Sequence, residues 1–512
     1  MLSSKSRDDS SPIKSFEKEK GLRLYGAICQ TTVAMGEADP PNDSLDRPTS
    51  DNDSLLENLR RNSQLMSPGS QLMSPRSIHS SMRESGCKQS MSSSLADVMA
   101  HPSEVGVASI TSEVMSITKN ILGAGVLSLS RGIATYSNDP SAMISATIWI
   151  LLLGGMFGYF CLLIAKICQR TRSATYRECW EMTMGERGGI AVSIVSALLP
   201  AQGNLSSTTV LTETLQSLLE TVHIYWSRLT CLLVLTVFVL LPICLMKDLN
   251  SISGLSTLGV ASMGVATIAM MIRYFDGSYQ EGGMYFDTIK PDFQPSFGNE
   301  TAWNFTVLPF VCMVFNSYIM HYNTPRFYME LKDRSIPRFS VAIGWSFGLS
   351  GLILILIAGS GYLTFGEHSS SYILNNYSPD DPLATASRIG VFLSTLLMYP
   401  IAFFGVRDGV LDVFGVPHYL QTDRYLDTVS VLVLFFLTSF ANFFHDLGMI
   451  NAVGGGVLAT CLCIIFPALM YRQLVVNAVE SNAKEIAESW ATLFLMVVGI
   501  ILGVSGTYQS LI

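Results

Sequence analysis

The stretch Asn120-Ile-Leu-Gly-Ala-Gly-Val-Leu-Ser-Leu129 places Gly123 and Gly125 in the middle of an apolar segment of membrane length. The segment starts near Thr111 and ends near Tyr136, and a bilayer core of about 30 Å is crossed by about 20 helical residues. Gly123 therefore lies near the midplane, where a Gly-Ala-Gly step favours a departure from helical geometry. Unwound backbone is tolerated in a membrane only when protein or a wet cavity surrounds it, so this segment is the first candidate for a binding site.

The composition is that of an integral membrane protein. Of the 512 residues, 49% are hydrophobic and 14% are charged, whereas soluble domains carry about 25% charged residues. The formal net charge of −8 carries little information, because most charges lie in loops and in the N-terminal tail. No basic stripe is present, which argues against a nucleic-acid partner.

Residues 1–110 differ from the rest, and we predict that they form a disordered, cytoplasmic, Ser-rich tail, with a transmembrane domain over 111–512. The tail is polar and has no apolar run long enough to bury a core. The hexapeptide SQLMSP occurs at 63–68 and again at 70–75, so Ser67 and Ser74 each precede a proline and are candidate kinase sites. The sequence DNDSLL at 51–56 has the acidic di-leucine pattern that sorting adaptors recognise. A solvated spacer is the alternative interpretation.

Beyond the tail, the hydrophobic pattern predicts an all-α membrane protein with about eleven transmembrane helices. The third span is the least regular, because Gln202, Asn204 and several Ser and Thr residues interrupt it. The predicted spans are 113–136, 142–167, 189–220, 228–247, 253–274, 303–325, 339–363, 383–407, 426–445, 448–472 and 489–508.

The distribution of Lys and Arg predicts that the N-terminus is cytoplasmic. The loops that this orientation places inside are rich in both residues, whereas the outer loop 364–382 has neither. Two glycosylation sequons, at Asn299 and Asn304, fall in or beside a predicted outer loop, although Asn304 is close to the membrane.

The sixth span contains a second interruption. Phe315-Asn-Ser-Tyr-Ile-Met-His-Tyr-Asn-Thr-Pro325 places several polar side chains inside a span and ends on a proline. Polar residues at that depth face a cavity or a neighbouring helix. Two interrupted spans, five apart, are typical of inverted-repeat transporters with substrate and ion sites at the breaks. The alternative is that Gly123 and Gly125 only permit close helix packing.

Both breaks offer groups that suit a zwitterionic amino acid. The free N–H groups of a half-helix N-terminus favour a carboxylate, and unwound carbonyls coordinate an ammonium or a cation. We therefore predict a substrate site with the members Gly123, Ala124, Gly125, Asn316, Ser317 and Tyr318.

Candidate ion-coupling residues come from three spans. Asn120 precedes the first break and offers a side-chain oxygen, while Ser394 and Thr395 offer hydroxyls in span eight. His321 is the most deeply placed histidine, and histidine titrates near physiological pH. These four residues are the predicted coupling site, for H+ or for Na+.

No catalytic motif is present in the sequence. It has no phosphate-binding glycine loop with a lysine, no paired-histidine metal motif and no nucleophile elbow. Gly454-Gly-Gly456 lies in an apolar span and is best explained as a helix-packing surface. We expect no enzyme activity and no cofactor apart from the coupling ion.

These segments together resemble the amino acid/auxin permease family. The match includes the opening span from Asn120, the stretch Leu241-Pro-Ile-Cys-Leu-Met-Lys-Asp-Leu249 with Leu255-Ser256 after it, and Arg388 with Tyr399-Pro400 and Arg407. It continues with Leu447 to Gly454 and with Phe466-Pro-Ala-Leu469. The resemblance covers about residues 110–508, and the order and spacing of the segments make it specific.

The resemblance implies secondary active transport of amino acids and eleven spans with an inside N-terminus. It also implies a five-plus-five inverted repeat of the bacterial leucine transporter type, and binding of the substrate's backbone groups by span one. The nearest groups are the sodium-coupled neutral amino acid transporters and their vacuolar and lysosomal relatives. In span eight the sodium-coupled group has a Thr two or four residues before the Pro, where this chain has Met398 and Leu396. This departure makes proton coupling at least as good a hypothesis as sodium coupling.

We therefore expect a multi-pass membrane protein, in a vacuolar, endolysosomal or plasma membrane, that moves amino acids by alternating access. Neutral amino acids are the expected substrates, membrane lipid is the surrounding partner, and sorting adaptors or kinases are candidate partners of the tail. The alternative is an amino acid sensor of transporter fold that signals through its tail.

Overall fold

The computed structural model describes residues 106–186, 188–246, 256–299, 304–414, 416, 422–444, 446–478 and 482–512. The predicted tail, apart from residues 106–110, lies outside these ranges, and so do Ser67, Ser74 and the di-leucine pattern at 51–56. The described chain is helical, and each of the eleven predicted spans coincides with one helix or with a run of consecutive shorter helices.

Span 1 is broken and extends over 110–134, and a short helix, Tyr176–Met184, connects spans 2 and 3. The remaining spans are span 2, Ala142–Thr171; span 3, Gly189–Thr221; span 4, Arg228–Cys244; span 5, Ser256–Phe275; span 6, Phe305–Glu330; span 7, Ile336–Phe365; span 8, Pro382–Val413; span 9, Asp423–Phe443; span 10, Leu447–Val476; and span 11, Ala483–Leu511.

Nine helices of the described chain are long and apolar enough to cross a membrane. The other two predicted spans differ for separate reasons. Span 1 is divided into pieces that are each too short to cross alone, and span 4 is a shorter apolar helix. We call the ends that the charge distribution places in the cytoplasm inner, and the opposite ends outer.

The break in span 1 falls at the glycines that the sequence indicated. The inner half is the helix Ile110–Ile121, which ends where the Leu122 N–H donates to the Thr118 carbonyl. Gly123 is extended, with φ −87° and ψ −173°. A 3-10 turn, Ala124–Ser128, then leads into the outer helix Leu129–Ala134. The prediction of unwound backbone at this point is confirmed.

Span 6 breaks at the corresponding depth. The outer helix Leu308–Ser317 ends at Tyr318, a 3-10 turn covers His321–Asn323, and the inner helix is Thr324–Glu330. Pro325 lies in the first turn of that inner helix, where its missing N–H costs no hydrogen bond. The second predicted interruption is therefore also confirmed.

Spans 6, 10 and 11 meet along a seam of glycines, which we call the glycine seam: Gly455 and Gly456 of span 10 with Gly503 and Gly506 of span 11. A Cβ on Gly455 would collide with the Cys312 carbonyl of span 6, and one on Gly506 would collide with the Cys312 sulfur. Small residues let helix backbones approach this closely in a membrane. The predicted role of Gly454–Gly456 in helix packing is confirmed, and part of span 10 winds as a π-helix over Gly454–Ile465.

A buried ion pair holds the outer ends of spans 5 and 8 together. The Asp381 carboxylate accepts hydrogen bonds from Arg273 Nη2 at 2.7 Å, Arg273 Nε at 2.8 Å and the Tyr279 hydroxyl at 2.9 Å. Burial and the Asp381 charge raise the pKa of the Tyr279 hydroxyl, so it remains a donor at any physiological pH. Arg388, about two helical turns further along the chain, donates to the carbonyls of Leu374 and Tyr377.

The Asn304 sequon lies close to the outer end of span 1. The Asn304 side-chain amide donates to the Tyr136 carbonyl at 2.9 Å, and the Thr306 hydroxyl donates to the Asn304 side-chain oxygen. The amide nitrogen that a glycan would use therefore contributes to packing. The other sequon is at Asn299, and its next two residues lie outside the described ranges.

Candidate functional site

The two breaks face one cavity between spans 1, 3, 6 and 8, with an interior volume of about 90 Å³. A water molecule needs about 10–15 Å³ of such space, so the cavity has room for several waters or for a small polar solute. Most of its lining belongs to the middle and the inner halves of the spans. The lining residues are Asn120, Ile121, Gly123, Ala124, Gly125, Leu199, Pro200, Gln202, Gly203, Ser206, Ser207, Asn316, Ser317, Ile319, Tyr322, Met398 and Ala402.

None of these lining residues carries a formal charge. The polar groups are amides, hydroxyls and the backbone of the two breaks. Two buried acceptors, Asn120 Oδ1 and Asn316 Oδ1, have no hydrogen-bond partner among the described residues. A buried acceptor without a donor costs about 1–3 kcal/mol, so both oxygens favour a ligand that supplies N–H groups.

Asn451 of span 10, which is fully buried, forms a polar hub beside this cavity. Its Oδ1 accepts from Ser206 Oγ at 2.8 Å, from Asn316 Nδ2 at 3.0 Å and from Gln202 Nε2 at 3.3 Å. Its Nδ2 donates to Ser128 Oγ at 3.0 Å. One side chain thereby connects spans 1, 3, 6 and 10. We call Asn451 and these four partners the amide hub.

The amide hub depends on glycine at position 125. A Cβ there would lie 2.9 Å from Asn316 Nδ2 and 3.5 Å from Asn451 Nδ2. The Ser128 hydroxyl in turn donates to the Gly125 carbonyl at 2.8 Å, which closes the turn after the break. At Gly123, by contrast, an added Cβ would meet nothing within 4 Å, because this position opens into the cavity.

A second cavity of about 400 Å³ lies on the outer side, and Arg131, Met313, Asp446 and Met449 are among its lining residues. Met313 precedes Asn316 by one helical turn, and Met449 precedes Asn451 by two residues. The amide hub therefore lies between this second cavity, which we call the outer vestibule, and the cavity at the breaks. In this conformation the hydrogen bonds of the amide hub lie on the outer side of the cavity at the breaks.

The model of one protein family, described as transmembrane amino acid transporter protein, matches residues 106–512, a range that contains every described residue. The chain belongs to this family. Its curated relatives are distant in sequence but similar in length. The chain is 22% identical to "Putative sodium-coupled neutral amino acid transporter 11" of Danio rerio over 409 residues, which covers 78% of this chain and 86% of that protein.

Vacuolar and plant members are equally similar. The amino acid transporter AVT6E of Arabidopsis thaliana is 23% identical over 416 residues, covering 78% of this chain and 83% of that protein. Vacuolar amino acid transporter 2 of Saccharomyces cerevisiae is 21% identical over 396 residues, covering 72% of this chain and 77% of that protein. The predicted resemblance to the amino acid permeases, and a multi-pass location in a membrane, are confirmed.

The fold agrees with this family. The crystal structure of MhsT in complex with L-phenylalanine matches 79% of this chain and 100% of that chain, with a TM-score of 0.53 at 12% identity. The chain therefore has the predicted leucine-transporter-like fold, in which two broken spans belong to an inverted repeat.

For this family member, the structure places five of the six predicted substrate residues at the cavity and one elsewhere. Gly123, Ala124, Gly125, Asn316 and Ser317 line it. Tyr318 turns away: its hydroxyl donates to the Ile150 carbonyl at 3.2 Å, and its ring stacks on Phe347 at a centroid distance of 5.5 Å. The reason is local, because the helix ends at Ser317 and the next residue leaves its helical face.

His321 likewise lies outside the cavity lining. It is fully buried, its Nε2 is 3.0 Å from the Phe157 carbonyl, and its ring packs edge-on against Phe157. These contacts place the imidazole between spans 2 and 6, and it does not contact the other three predicted coupling residues in this conformation.

The four predicted coupling residues are not assembled into one site. Asn120 lines the cavity, whereas Ser394 and Thr395 do not. Ser394 is instead contacted by Lys119, the residue before Asn120, and Thr395 Oγ1 is buried without a partner among the described residues. Two residues that the sequence did not single out, Asn451 and Lys119, make buried polar contacts between spans beside this cavity. The only available signal was their polarity inside apolar spans.

Proposed function

We propose that this chain is a secondary active transporter that moves neutral amino acids by alternating access and couples their movement to H+ or Na+. The observation that carries the proposal is the single uncharged cavity at which the two broken spans meet. A cavity of this kind at midplane is where transporters of inverted-repeat architecture bind their substrates.

The polarity of the cavity favours a zwitterion. The Ala124–Ser128 turn begins at the break, so the N–H groups of its first residues lie there. Such N–H groups carry a partial positive charge, which suits a carboxylate. The unpaired oxygens of Asn120 and Asn316 suit an α-ammonium group. Both ends of an amino acid backbone would then have partners inside one cavity.

The absence of charge in the lining argues for a neutral side chain. A lysine or glutamate substrate would bring a third charge into a cavity whose 17 lining residues offer no counter-charge. An unpaired buried charge costs several kcal/mol, which excludes such substrates by a large factor. The small volume further favours compact amino acids.

The names of two relatives support two features of the proposal. "Putative sodium-coupled neutral amino acid transporter 11" agrees with neutral substrates, and the yeast relative with a vacuolar membrane. We therefore propose an endolysosomal or vacuolar membrane, with the plasma membrane as the alternative. A sensor function would depend on the tail, which lies outside the described residues.

Purified protein in liposomes tests the proposal. Labelled amino acids of every side-chain class would be supplied under an inward proton gradient, and separately under an inward sodium gradient. We expect neutral amino acids to accumulate about tenfold above empty liposomes, and charged ones to remain near background. Asn316→Ala should reduce uptake, while Asn477→Ala, an exposed residue at the inner end of span 10, should not. No accumulation of any amino acid under either gradient would refute the proposal.

A further inference from the structure

Lys119 is buried inside the transmembrane domain, one residue before the cavity-lining Asn120. Only 5% of its surface is exposed. Its ammonium donates to Ser394 Oγ at 2.7 Å and to the Ser394 carbonyl at 2.9 Å. The Ser394 hydroxyl then donates to the Gly259 carbonyl at 3.0 Å. A single positive charge thus joins the inner half of span 1 to spans 8 and 5.

The packing is built around this side chain. Gly259 of span 5 lies against the lysine stem, and a Cβ at that position would collide with Lys119 Cε. The space that the lysine occupies therefore exists because span 5 has a glycine at this position. Thr395, next to Ser394, is 4% exposed, and its hydroxyl has no partner among the described residues.

No carboxylate of the described chain forms an ion pair with Lys119. A buried charge without a partner is costly, and a lysine lowers the cost through hydrogen bonds to its ammonium or through loss of its proton. None of the described hydrogen bonds or ion pairs joins Lys119 to a charged or titratable side chain on its own helix or on the spans packed around it. Those side chains are Glu113 on its own helix, Arg273 and Tyr274 on span 5, Arg338 and Tyr362 on span 7, and Arg388, Tyr399, Arg407 and Asp408 on span 8.

The groups around the ammonium are those that a coupling cation would use. Backbone carbonyl oxygens at broken spans coordinate Na+ in transporters of this architecture, and a neighbouring hydroxyl offers a further oxygen ligand. Here Lys119 Nζ already donates hydrogen bonds to two such oxygens, both of Ser394. We propose that Lys119 fills the cation site between spans 1, 5 and 8, and that the proton on its amine takes the place of a coupling sodium ion.

This inference rests on the proposed transport function and makes it more specific. In each cycle the Lys119 ammonium would release one proton to water on one side and become a neutral amine. The amine would take up one proton from the other side when the site reopens. Lysine suits this role, since its amine exists in both states, whereas arginine remains protonated in proteins.

The test uses the full-length protein in liposomes and two assays. Counterflow, the exchange of labelled for unlabelled amino acid without a gradient, measures transport alone. Accumulation under a proton or a sodium gradient measures coupling. For the wild type we expect proton-driven accumulation, and replacement of sodium by choline should leave it unchanged. Lys119→Met should lower proton-driven accumulation about tenfold while counterflow remains within about threefold.

A second variant and a control make the result decisive. Lys119→Arg keeps a cation at the site but holds its proton, so it should also exchange substrate without coupling. Lys290→Met removes a lysine of the outer loop, which lies over the Phe293 ring, and should behave like the wild type. Sodium-stimulated accumulation by the wild type would overturn the inference, and so would intact proton coupling in Lys119→Met or Lys119→Arg. Failure of wild-type counterflow with every amino acid would instead refute the transport function itself.

Discussion

The side-chain amide of Asn316 donates a hydrogen bond of 3.0 Å to Oδ1 of Asn451, and this bond joins the break in span 6 to span 10. The same oxygen accepts from Ser206 and Gln202 of span 3. Three donors therefore converge on one buried acceptor on the outer side of the cavity at the breaks. We infer that opening of the cavity to the outer vestibule requires these bonds to separate.

Asn451→Ala should impair both stability and transport. The substitution removes the shared acceptor and leaves the Gln202 and Asn316 amides without it, at about 1–3 kcal/mol for each donor that stays buried and unpaired. We expect a lower temperature of thermal inactivation and about a tenfold loss of uptake. Asn477→Ala is the matched control on the same span. Wild-type uptake in Asn451→Ala would show that the amide hub has no part in transport.

The two glycines of the first break should respond differently to alanine. Gly125→Ala places a methyl group 2.9 Å from Asn316 Nδ2, so we expect a disrupted amide hub and about a tenfold lower rate of uptake. Gly123→Ala adds a methyl group that meets only open space, so the fold should be retained. Its effect should be on selectivity, with KM rising more for large substrates than for glycine or alanine. Equal effects of both substitutions would contradict this difference.

Tyr318→Phe tests the separation of Tyr318 from the cavity. The variant keeps the ring that stacks on Phe347 and loses only the bond from the hydroxyl to the Ile150 carbonyl. We expect KM to remain within about twofold of the wild type and stability to fall by about 1 kcal/mol. The comparison is Asn316→Ala, for which KM should rise. A tenfold increase in KM for Tyr318→Phe would indicate that the Tyr318 hydroxyl does contact the substrate.

Asp381→Asn should destabilise the outer ends of spans 5 and 8. The Asp381 side chain is fully buried and is bound in two places by Arg273, so removing its charge leaves the guanidinium with the more exposed Asp276 alone. Breaking a buried ion pair in this way costs about 3 kcal/mol. Thermal inactivation of the detergent-solubilised protein should show the loss, with Asp380→Asn, an exposed neighbour, as the control. A shift no larger than that of the control would contradict the assigned role.

The sequence was sufficient to predict the elements, because their signals are local. Eleven apolar stretches, a Gly-Ala-Gly step and a polar run before Pro325 each depend on neighbouring residues only. The breaks at Gly123 and after Ser317 fell where those signals placed them.

The direction in which each side chain points depends on contacts between residues far apart in the chain. Consecutive residues of a helix point about 100° apart, so Lys119 faces span 8 while Asn120 faces the cavity. The choice between them is made by residues on spans 5 and 8, including Gly259 and Ser394. Asn451 is 135 positions from Asn316, and nothing local to either residue predicts that they meet.

The glycine seam has a consequence for the mechanics of transport. Gly455 and Gly506 bring spans 10 and 11 against Cys312, in the outer half of span 6, with no room for even a methyl group. Packing this close resists sliding, so the three spans should move as one rigid body. The eleventh helix, which lies outside the five-plus-five repeat, then acts as a brace on only one of the two repeats. The inner half of span 1 is instead joined to spans 5 and 8 through the flexible side chain of Lys119. A side chain rearranges more easily than a glycine contact, so movement there would make the two halves of the cycle unequal in speed.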